Sequence, residues 1–575
     1  MTDGSLNAVD YAVISQGLLA TAKEMGVKLI RSAYSTIIRE AGDASASLFD
    51  SDGRCVAQAE LIPMHLGTMS EILQTCIRED HRRDVCEDYF YITNDPYSGG
   101  QHLPDVFIFS PIYFEAKLVG FAGTVAHHLD LGGGSPGLTT EAVDIHAEGL
   151  IIPPSRYRYS TDWHDDTYPG PLQRLIAANI RVPQQTIGDF YAQFAANAIG
   201  AERVRQLCLK YGVRRLETTM TELLAYSERR FRAALSQIPN GVYFGDDAID
   251  DDGIGNTPVA VRVKLTVIDE SISIDFANTD KQVLRNLNCP LASTKSAALT
   301  AIKAALTSSD IPFNDGVKRA VEITAPSGSL VNPEYPAPVR ARNEAAYRCF
   351  NAVLKALGGV APKQIIAGGA DTTYVTSLSK LNGEKYSVYL EVYGGGFGAS
   401  AYGDGCDAVD SPLSNCTNTP VEATDMDFTH FRIIRYELIP DSCGHGMYRG
   451  GLGFLRSFLV LEDDVNFALY ADRFTLSPYG LFGGTSGMRA RCELSRNGSV
   501  TYLKSKDAAM LHKGDILTVY TAGGGGYGDA GDRPQRSVEE DLRQGFISPV
   551  AAEDNYSYFF RGIKTKSERG ASIDD

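Results

Sequence analysis

The chain has 575 residues, 43% of them hydrophobic, and a formal net charge of −17. That length exceeds a single core, so about two to four domains are expected. The acidity and the lack of a basic tract exclude a nucleic-acid binder or a polybasic membrane surface, and no apolar run reaches the ~18 residues that span a bilayer.

The N-terminus, MTDGSLNAVDYAV, lacks the charged-then-apolar pattern of a signal peptide, which places the chain in the cytoplasm. Ala8 to Glu40 reads as one long helix, with Leu18, Leu19, Ala22, Met25, Leu29 and Ile30 at spacings of three and four. Gly42-Asp43 ends it. Strands are expected at Ala46 to Phe49 and Cys55 to Ala59, joined by the turn Asp50-Ser51-Asp52-Gly53. Gly67 to Ile77 reads as a helix and Phe90 to Thr93 as a short strand leading into the Asn94-Asp95-Pro96 turn. Phe107 to Tyr113 and Leu118 to His127 look like a strand pair. Pro153 to Thr167 shows neither period and reads as a loop.

Asp189 to Tyr211 and Val213 to Ser236 are helix patterns, and Pro239-Asn240-Gly241 marks a boundary. Strand alternation dominates from Gly241 to Ala277, and helices are expected at Ala292 to Leu306 and Ala345 to Leu357. From about Tyr386 the chain is Gly-rich and mostly strand-like. The expected class is α+β and multidomain: a metal-binding α/β region over 1–238, a mixed α/β region over 239–380, and a β-rich, Gly-rich region over 381–575. The ten cysteines form no CxxC pair, so reduced, buried thiols are expected rather than a zinc knuckle.

Chemistry concentrates between Asn94 and Asp130, in NDPYSGGQHLPDVFIFSPIYFEAKLVGFAGTVAHHLD. His102 and Asp105 are three residues apart, so one turn of backbone can aim both at one point. His127 ends a strand-like run. Imidazole plus carboxylate is the ligand set of a hard-to-borderline divalent metal with an open position. Taken singly, each histidine reads more readily as a structural residue near a turn. The clustering with Asp105, Asp130, Gly99-Gly100 and Gly132-Gly133-Gly134 favours the metal. Neighbouring strand residues point to opposite faces, so only one of His127 and His128 serves a given ion. His127 is chosen, because from it the chain enters Asp130 and the glycine run. His128 then faces the other side or lines the substrate cavity.

Other signals are weaker. Asp43 beyond the first helix reads as a turn former or as a carboxylate reaching a cavity. His65, in IPMHLG, reads as a core histidine. Glu148 is either a carboxylate supporting the site or a solvated turn residue. Asp130 to Gly134 is no Walker A motif, since no Lys-Ser or Lys-Thr follows. The late runs Gly394 to Gly396 and Gly523 to Gly526 lead into no helix, so a structural role is expected for them rather than phosphate binding.

Together, EMGVKLIRSAYSTIIREAGDASASLFDSDG, AELIPMHLGTM, NDPYSGGQHLPDV, AHHLDLGGGSPG, EGLIIPP, GDFYAQFAANAIGAERV, NTPVEATD, DSCGHGMYRGGLG and TAGGGGYGD resemble the hydantoinase B/oxoprolinase family over nearly the whole chain. The resemblance implies a metal site at His102, Asp105 and His127 with Asp43 as a further ligand. Zn²⁺ suits that set, with Mn²⁺ or Fe²⁺ as alternatives. It also implies a separate actin-like A-type partner carrying ATP and Mg²⁺, and an (αβ)2 or larger hetero-oligomer. The family includes hydrolases of cyclic amides and, with bicarbonate, carboxylases of ketones. The carboxylase large subunits tend to be longer, which favours the hydrolase branch. His128 and Asp130 are the candidate proton carriers.

Overall fold

The computed structural model describes residues 7–558 apart from 60, 81–84, 165–166 and 411. The first six residues, used in the signal-peptide reading, and two residues of the expected 153–167 loop lie outside the described residues. The described chain packs as two compact units. The first holds the residues up to Asp247, Ala260–Ala356 and Leu381–Leu390; the second holds Ala248–Val259, Leu357–Lys380 and the residues from Glu391 on. The class is α+β and multidomain, with helices and sheets mixed along the chain. None of the described helices is long and apolar enough to cross a membrane.

The first unit opens with helix α1 (Ala8–Ser32), capped by the Asn7 side chain, which accepts the Asp10 N–H. The expected single helix stops at Ser32 and restarts as the short α2 (Thr36–Arg39). The cause is Asp189, whose buried carboxylate accepts the N–H groups of Tyr34 at 2.7 Å and Ser35 at 3.1 Å. Those donors are drawn out of the helical ladder. Burial pushes the Asp189 carboxyl up to about 6 against those hydrogen bonds.

A six-stranded antiparallel sheet follows: β1 (Ala44–Phe49), β2 (Cys55–Ala59), β3 (Tyr89–Thr93), β4 (Asp105–Phe114), β5 (Lys117–His127) and β6 (Ser155–Arg158). Their spatial order is β2-β1-β5-β4-β3-β6. Between β2 and β3 lie α3 (Pro63–Leu66) and α4 (Met69–Glu79). One sheet face, with Phe49, Phe107, Phe109 and Val125, is covered by Met69, Ile72 and Leu73 of α4. After β6 come α5 (Pro171–Ala178), α6 (Pro183–Tyr211) and α7 (Val213–Leu235). The other face, with Phe90, Ile92, Val106 and Ile108, packs on Ile187 and Phe190 of α6. Both faces are apolar because both are covered, which explains the near-continuous hydrophobic runs of β4 and β5.

Residues 153–167 differ from the loop expectation. Ser155–Arg158 pairs with β3 at the sheet edge, and Tyr159–Trp163 forms a π-turn. Trp163 is fully buried among Phe190, Tyr191 and Phe194, so the packing of one large side chain organises a segment that has no period. All but the boundary residues of a second sheet also lie in this unit, in the order Val321–Thr324, Ser271–Asp275, Val259–Ile268, Gly241–Ile249, with the helix Leu291–Leu306 and all but the last residue of Asn343–Leu357.

In the second unit, Tyr374–Asn382, Val465–Tyr470 and Lys506–Leu511 form an antiparallel ladder. A five-stranded sheet runs in the order Phe431–Leu438, Phe454–Val460, Ile516–Tyr520, Arg491–Arg496, Ser499–Leu503. The region expected to be mostly strand also contains α-helices, among them Gln535–Gln544 and Pro549–Tyr556. The first buries Val538 and Leu542, four residues apart on one helical face, and stops at Gly545 in the left-handed region. Between the strands, glycine runs pack backbone on backbone. Gly396 N–H donates to Ala522, Gly524 N–H to Gly451 and Gly525 N–H to Gly368. A Cβ on Gly524 would sit 2.0 Å from the Phe397 carbonyl oxygen, and one on Gly396 would sit 2.1 Å from that of Gly451.

Those obstructions are main-chain atoms and cannot rotate aside. Gly524→Ala is expected to lower stability by about 3 kcal/mol or to abolish soluble expression, measured by urea denaturation against wild type. An unchanged midpoint would show that the loops yield freely.

Candidate metal centre

Strand register assembles the site. Asp105, the first residue of β4, pairs directly with His127, the last of β5. Ala44 of β1 pairs with Ala126, and the His127 N–H donates to the Asp43 carbonyl at 3.1 Å. Three neighbouring strands thus end together and present Asp43, His127 and Asp105. His102 is added by the turn before β4, closed by the Asp105 N–H donating to the His102 carbonyl at 3.0 Å. His102, Asp105 and His127 are all buried.

Their side chains converge. His102 Nε2 lies 3.0 Å from Asp105 Oδ1 and 3.2 Å from His127 Nδ1. His127 Nδ1 lies 3.3 Å from Asp105 Oδ1 and 3.7 Å from Asp43 Oδ2. The Arg340 carbonyl, a pure acceptor 2.8 Å from His102 Nδ1 and closer than Arg342 Nη1 at 3.1 Å, favours the tautomer in which Nδ1–H donates to it and the Nε2 lone pair faces inward. Three lone-pair atoms therefore meet at separations of 3.0–3.3 Å. Ligands about 2.1 Å from a common ion stand roughly 3.0–3.4 Å apart at right or tetrahedral angles. The donor set and spacing fit a divalent cation. His127 Nε2 is buried and has no partner among the described residues, so Nδ1 is the engaged nitrogen of that ring.

Burial, with Arg342 nearby, holds His102 down to about 3, in its neutral form. Burial opposes ionisation of Asp105, but the contact with His102 and the permanent charge of Arg342 prevail and hold its carboxyl well below the usual range. Asp43 is raised by burial, against the pull of His127 and His65.

Two residues at the centre were not singled out by the sequence. His65, read as a core histidine, is buried on α3 with Nε2 3.6 Å from Asp105 Oδ2 and 3.9 Å from Asp43 Oδ1. Its Nδ1 lies 3.3 Å from Ser45 Oγ. Arg342, just before the helix Asn343–Leu357, donates from Nη2 to Asp105 Oδ2 at 2.6 Å and to Gln101 Oε1 at 3.0 Å. The only sequence trace is a pair of arginines, Arg340 and Arg342, two residues apart in APVRARNEAA. Glu148 supports the same segment: it is buried and accepts the N–H groups of Val339 at 3.1 Å and Arg340 at 2.9 Å. Burial pushes its carboxyl up to about 7 against those bonds.

The residues expected to carry protons have other partners. His128 points to the opposite sheet face, stacks on Phe190 at 4.1 Å and lies 2.9 Å from Gln193 Oε1, with burial holding it at about 4. Asp130 pairs with Arg181 at 3.0 Å and also accepts the Arg181 N–H. Strand alternation sends His128 toward α6, and the chain has left the sheet before Asp130. The cluster is built without either side chain.

The chain matches the hydantoinase B/oxoprolinase family over residues 7–530 and belongs to that family. It is 33% identical over 555 residues to an uncharacterized protein of Methanocaldococcus jannaschii, covering 96% of each chain. It is 31% identical over 569 residues to the B subunit of a putative D-/L-hydantoinase of a Pseudomonas species, covering 96% of this chain and 95% of that one. Its fold is similar to the crystal structure of an ATP-dependent caprolactamase from Pseudomonas jessenii, with a TM-score of 0.88, 24% identity and 98% coverage of each chain.

Glu148→Ala removes the acceptor of two buried backbone donors and should cost about 2–4 kcal/mol. Chemical denaturation of the variant checks this; a cost under about 0.5 kcal/mol would mean that the Val339–Arg340 segment is held by packing alone.

Proposed function

We propose that this chain is the metal-bearing B-type component of an ATP-dependent cyclic-amide hydrolase that opens a hydantoin, 5-oxoproline or lactam ring. It works with a separate actin-like, hydantoinase A-type partner carrying ATP and Mg²⁺. The observation that carries this reading is the buried convergence of His102, Asp105 and His127 in a chain of the hydantoinase B/oxoprolinase family. Two relatives are named as single components of larger enzymes, one of a hydantoinase and one of a caprolactamase, which supports a hetero-oligomer.

The chemistry explains the division of labour. An unstrained cyclic amide is resonance-stabilised and a poor electrophile. Phosphorylation of its oxygen on the partner creates an electrophilic carbon and a good leaving group. A divalent ion at this centre, Zn²⁺ first and Mn²⁺ or Fe²⁺ as alternatives, supplies Lewis acidity and lowers the pKa of a water toward neutrality. The chain's own groups set the stage for that chemistry. His102 offers Nε2 because Arg340 holds Nδ1. Asp105 offers Oδ1 because Arg342 holds Oδ2. Asp43, whose side chain is 13% exposed against 0% for Asp105, lies on the more open side of the cluster. The surrounding apolar sheet face excludes bulk water.

His102→Ala and His127→Ala should each remove bound metal, and chelation of wild type should lower Tm by an amount the two variants no longer show. Elemental analysis and calorimetry check this; full occupancy in both variants would remove these residues from the ligand set.

The isolated chain is expected to open no hydantoin, 5-oxoproline or caprolactam ring with or without ATP. The chain copurified with its partner should couple ring opening to ADP release. Incorporation of labelled bicarbonate without ring opening would instead assign a carboxylase.

A further inference from the structure

The two oxygens of Asp105 have separate environments. Oδ1 faces His102 Nε2 and His127 Nδ1 at 3.0 and 3.3 Å. Oδ2 faces away from them, toward the Arg342 guanidinium at 2.6 Å, with His65 Nε2 more distant at 3.6 Å. The same Nη2 is tied to Gln101 Oε1 at 3.0 Å, and Gln101 Oε1 is held because its amide nitrogen bonds the Met64 carbonyl and Thr68 Oγ1. Arg342 is 3% exposed and Gln101 0%, so the guanidinium sits in a fixed slot rather than on a solvated arm. A carboxylate left free beside a divalent ion can bind through one or both oxygens.

We infer that Arg342 is the positioning residue that makes Asp105 a one-oxygen ligand. It occupies Oδ2 with a directional bond, braced by Gln101, and so sets both the coordination number and the metal affinity of the centre. This rests on the metal-centre reading above and deepens it. A planar fork suits the task, because two N–H vectors leave one nitrogen at a fixed angle toward Asp105 and Gln101. The ammonium of a lysine has the charge but not the fixed geometry. Arg342 also places a permanent positive charge beside the ligands. A charge-only role and a geometric role therefore make opposite forecasts. Removing a cation near a metal strengthens binding if charge is all that matters. Removing a clamp from a ligand weakens it, by about 10–100-fold for groups of this kind.

The test uses Co²⁺ as the probe, loaded into metal-stripped full-length wild type, Arg342→Gln and Arg342→Lys, with affinity measured by competition against a chromogenic chelator. Visible absorption reports coordination number, since bands weaken as ligands are added. Arg342→Gln is expected to bind Co²⁺ about 10–100-fold more weakly with weaker bands, as Oδ2 joins the coordination sphere. Arg342→Lys, which keeps the charge, is expected to show the same band loss, and it carries the test if the Gln variant does not fold. Equal or tighter Co²⁺ binding with the wild-type spectrum in Arg342→Gln, or a wild-type spectrum and affinity in Arg342→Lys, overturns the inference. Failure of wild type itself to bind Co²⁺ or Zn²⁺ overturns the metal-centre reading instead, before any variant is compared.

Discussion

The register of three antiparallel strands governs this site. Asp105 opposes His127 at the end of the β4–β5 ladder, and β1 delivers Asp43 beside them. A slip of one residue would send His127 to the α6 side and bring His128 to the cluster. The apolar faces make such a slip costly. Phe121 and Val125 of β5 would leave the α4 side with His127. The register that buries the core is the same register that brings Asp105 and His127 together.

Burial then imposes a second constraint. Taking charged carboxylates out of water costs several kcal/mol each unless they are paired and hydrogen-bonded. The centre answers with hydrogen-bond partners drawn from distant parts of the chain. Arg342 meets Asp105, Arg340 supplies the carbonyl that orients His102, and Glu148 anchors the backbone of Val339 and Arg340. The segment from Val339 to Arg342 is therefore the back wall of the site, although it lies more than two hundred positions along the chain from His127. Its own position depends on buried polar bonds rather than on a regular element.

The second unit meets a different constraint with glycine. Its loops approach so closely that main-chain carbonyls occupy the space of a side chain at Gly396 and Gly524. Adjacent to them, Arg449 and Arg533 are shared among Asp404, Asp407 and Asp541. This network ties the helix Gln535–Gln544 to the glycine loops. The interior of that unit is thus held by backbone bonds and buried ion pairs as much as by apolar packing.

Local pattern was enough to read much of this protein. Helix patterns marked Ala292 to Leu306 and Asp189 to Tyr211, within the observed Leu291–Leu306 and Pro183–Tyr211, and the turn Asp50 to Gly53 marked the β1–β2 hairpin, because those signals are written within a few residues. The spacing of His102 and Asp105 and the strand-end position of His127 pointed to one cluster for the same reason. The break at Ala33–Ser35 was not legible, since it is made by Asp189 on another helix. Nor was the order around Trp163, which comes from the aromatic residues of α6. His65 looked like a core histidine because its sequence neighbours are apolar, and only the fold turns it toward Asp43 and Asp105. Arg342 had no neighbour in sequence to explain it. By itself the sequence determined that imidazole and carboxylate side chains gather around one strand end and where most helices and strands lie, because those properties are local. Only tertiary structure decided which lone pairs meet, which oxygen of Asp105 is held by Arg342, and that His128 and Asp130 serve other partners, because those depend on register and on contacts between residues far apart in the chain.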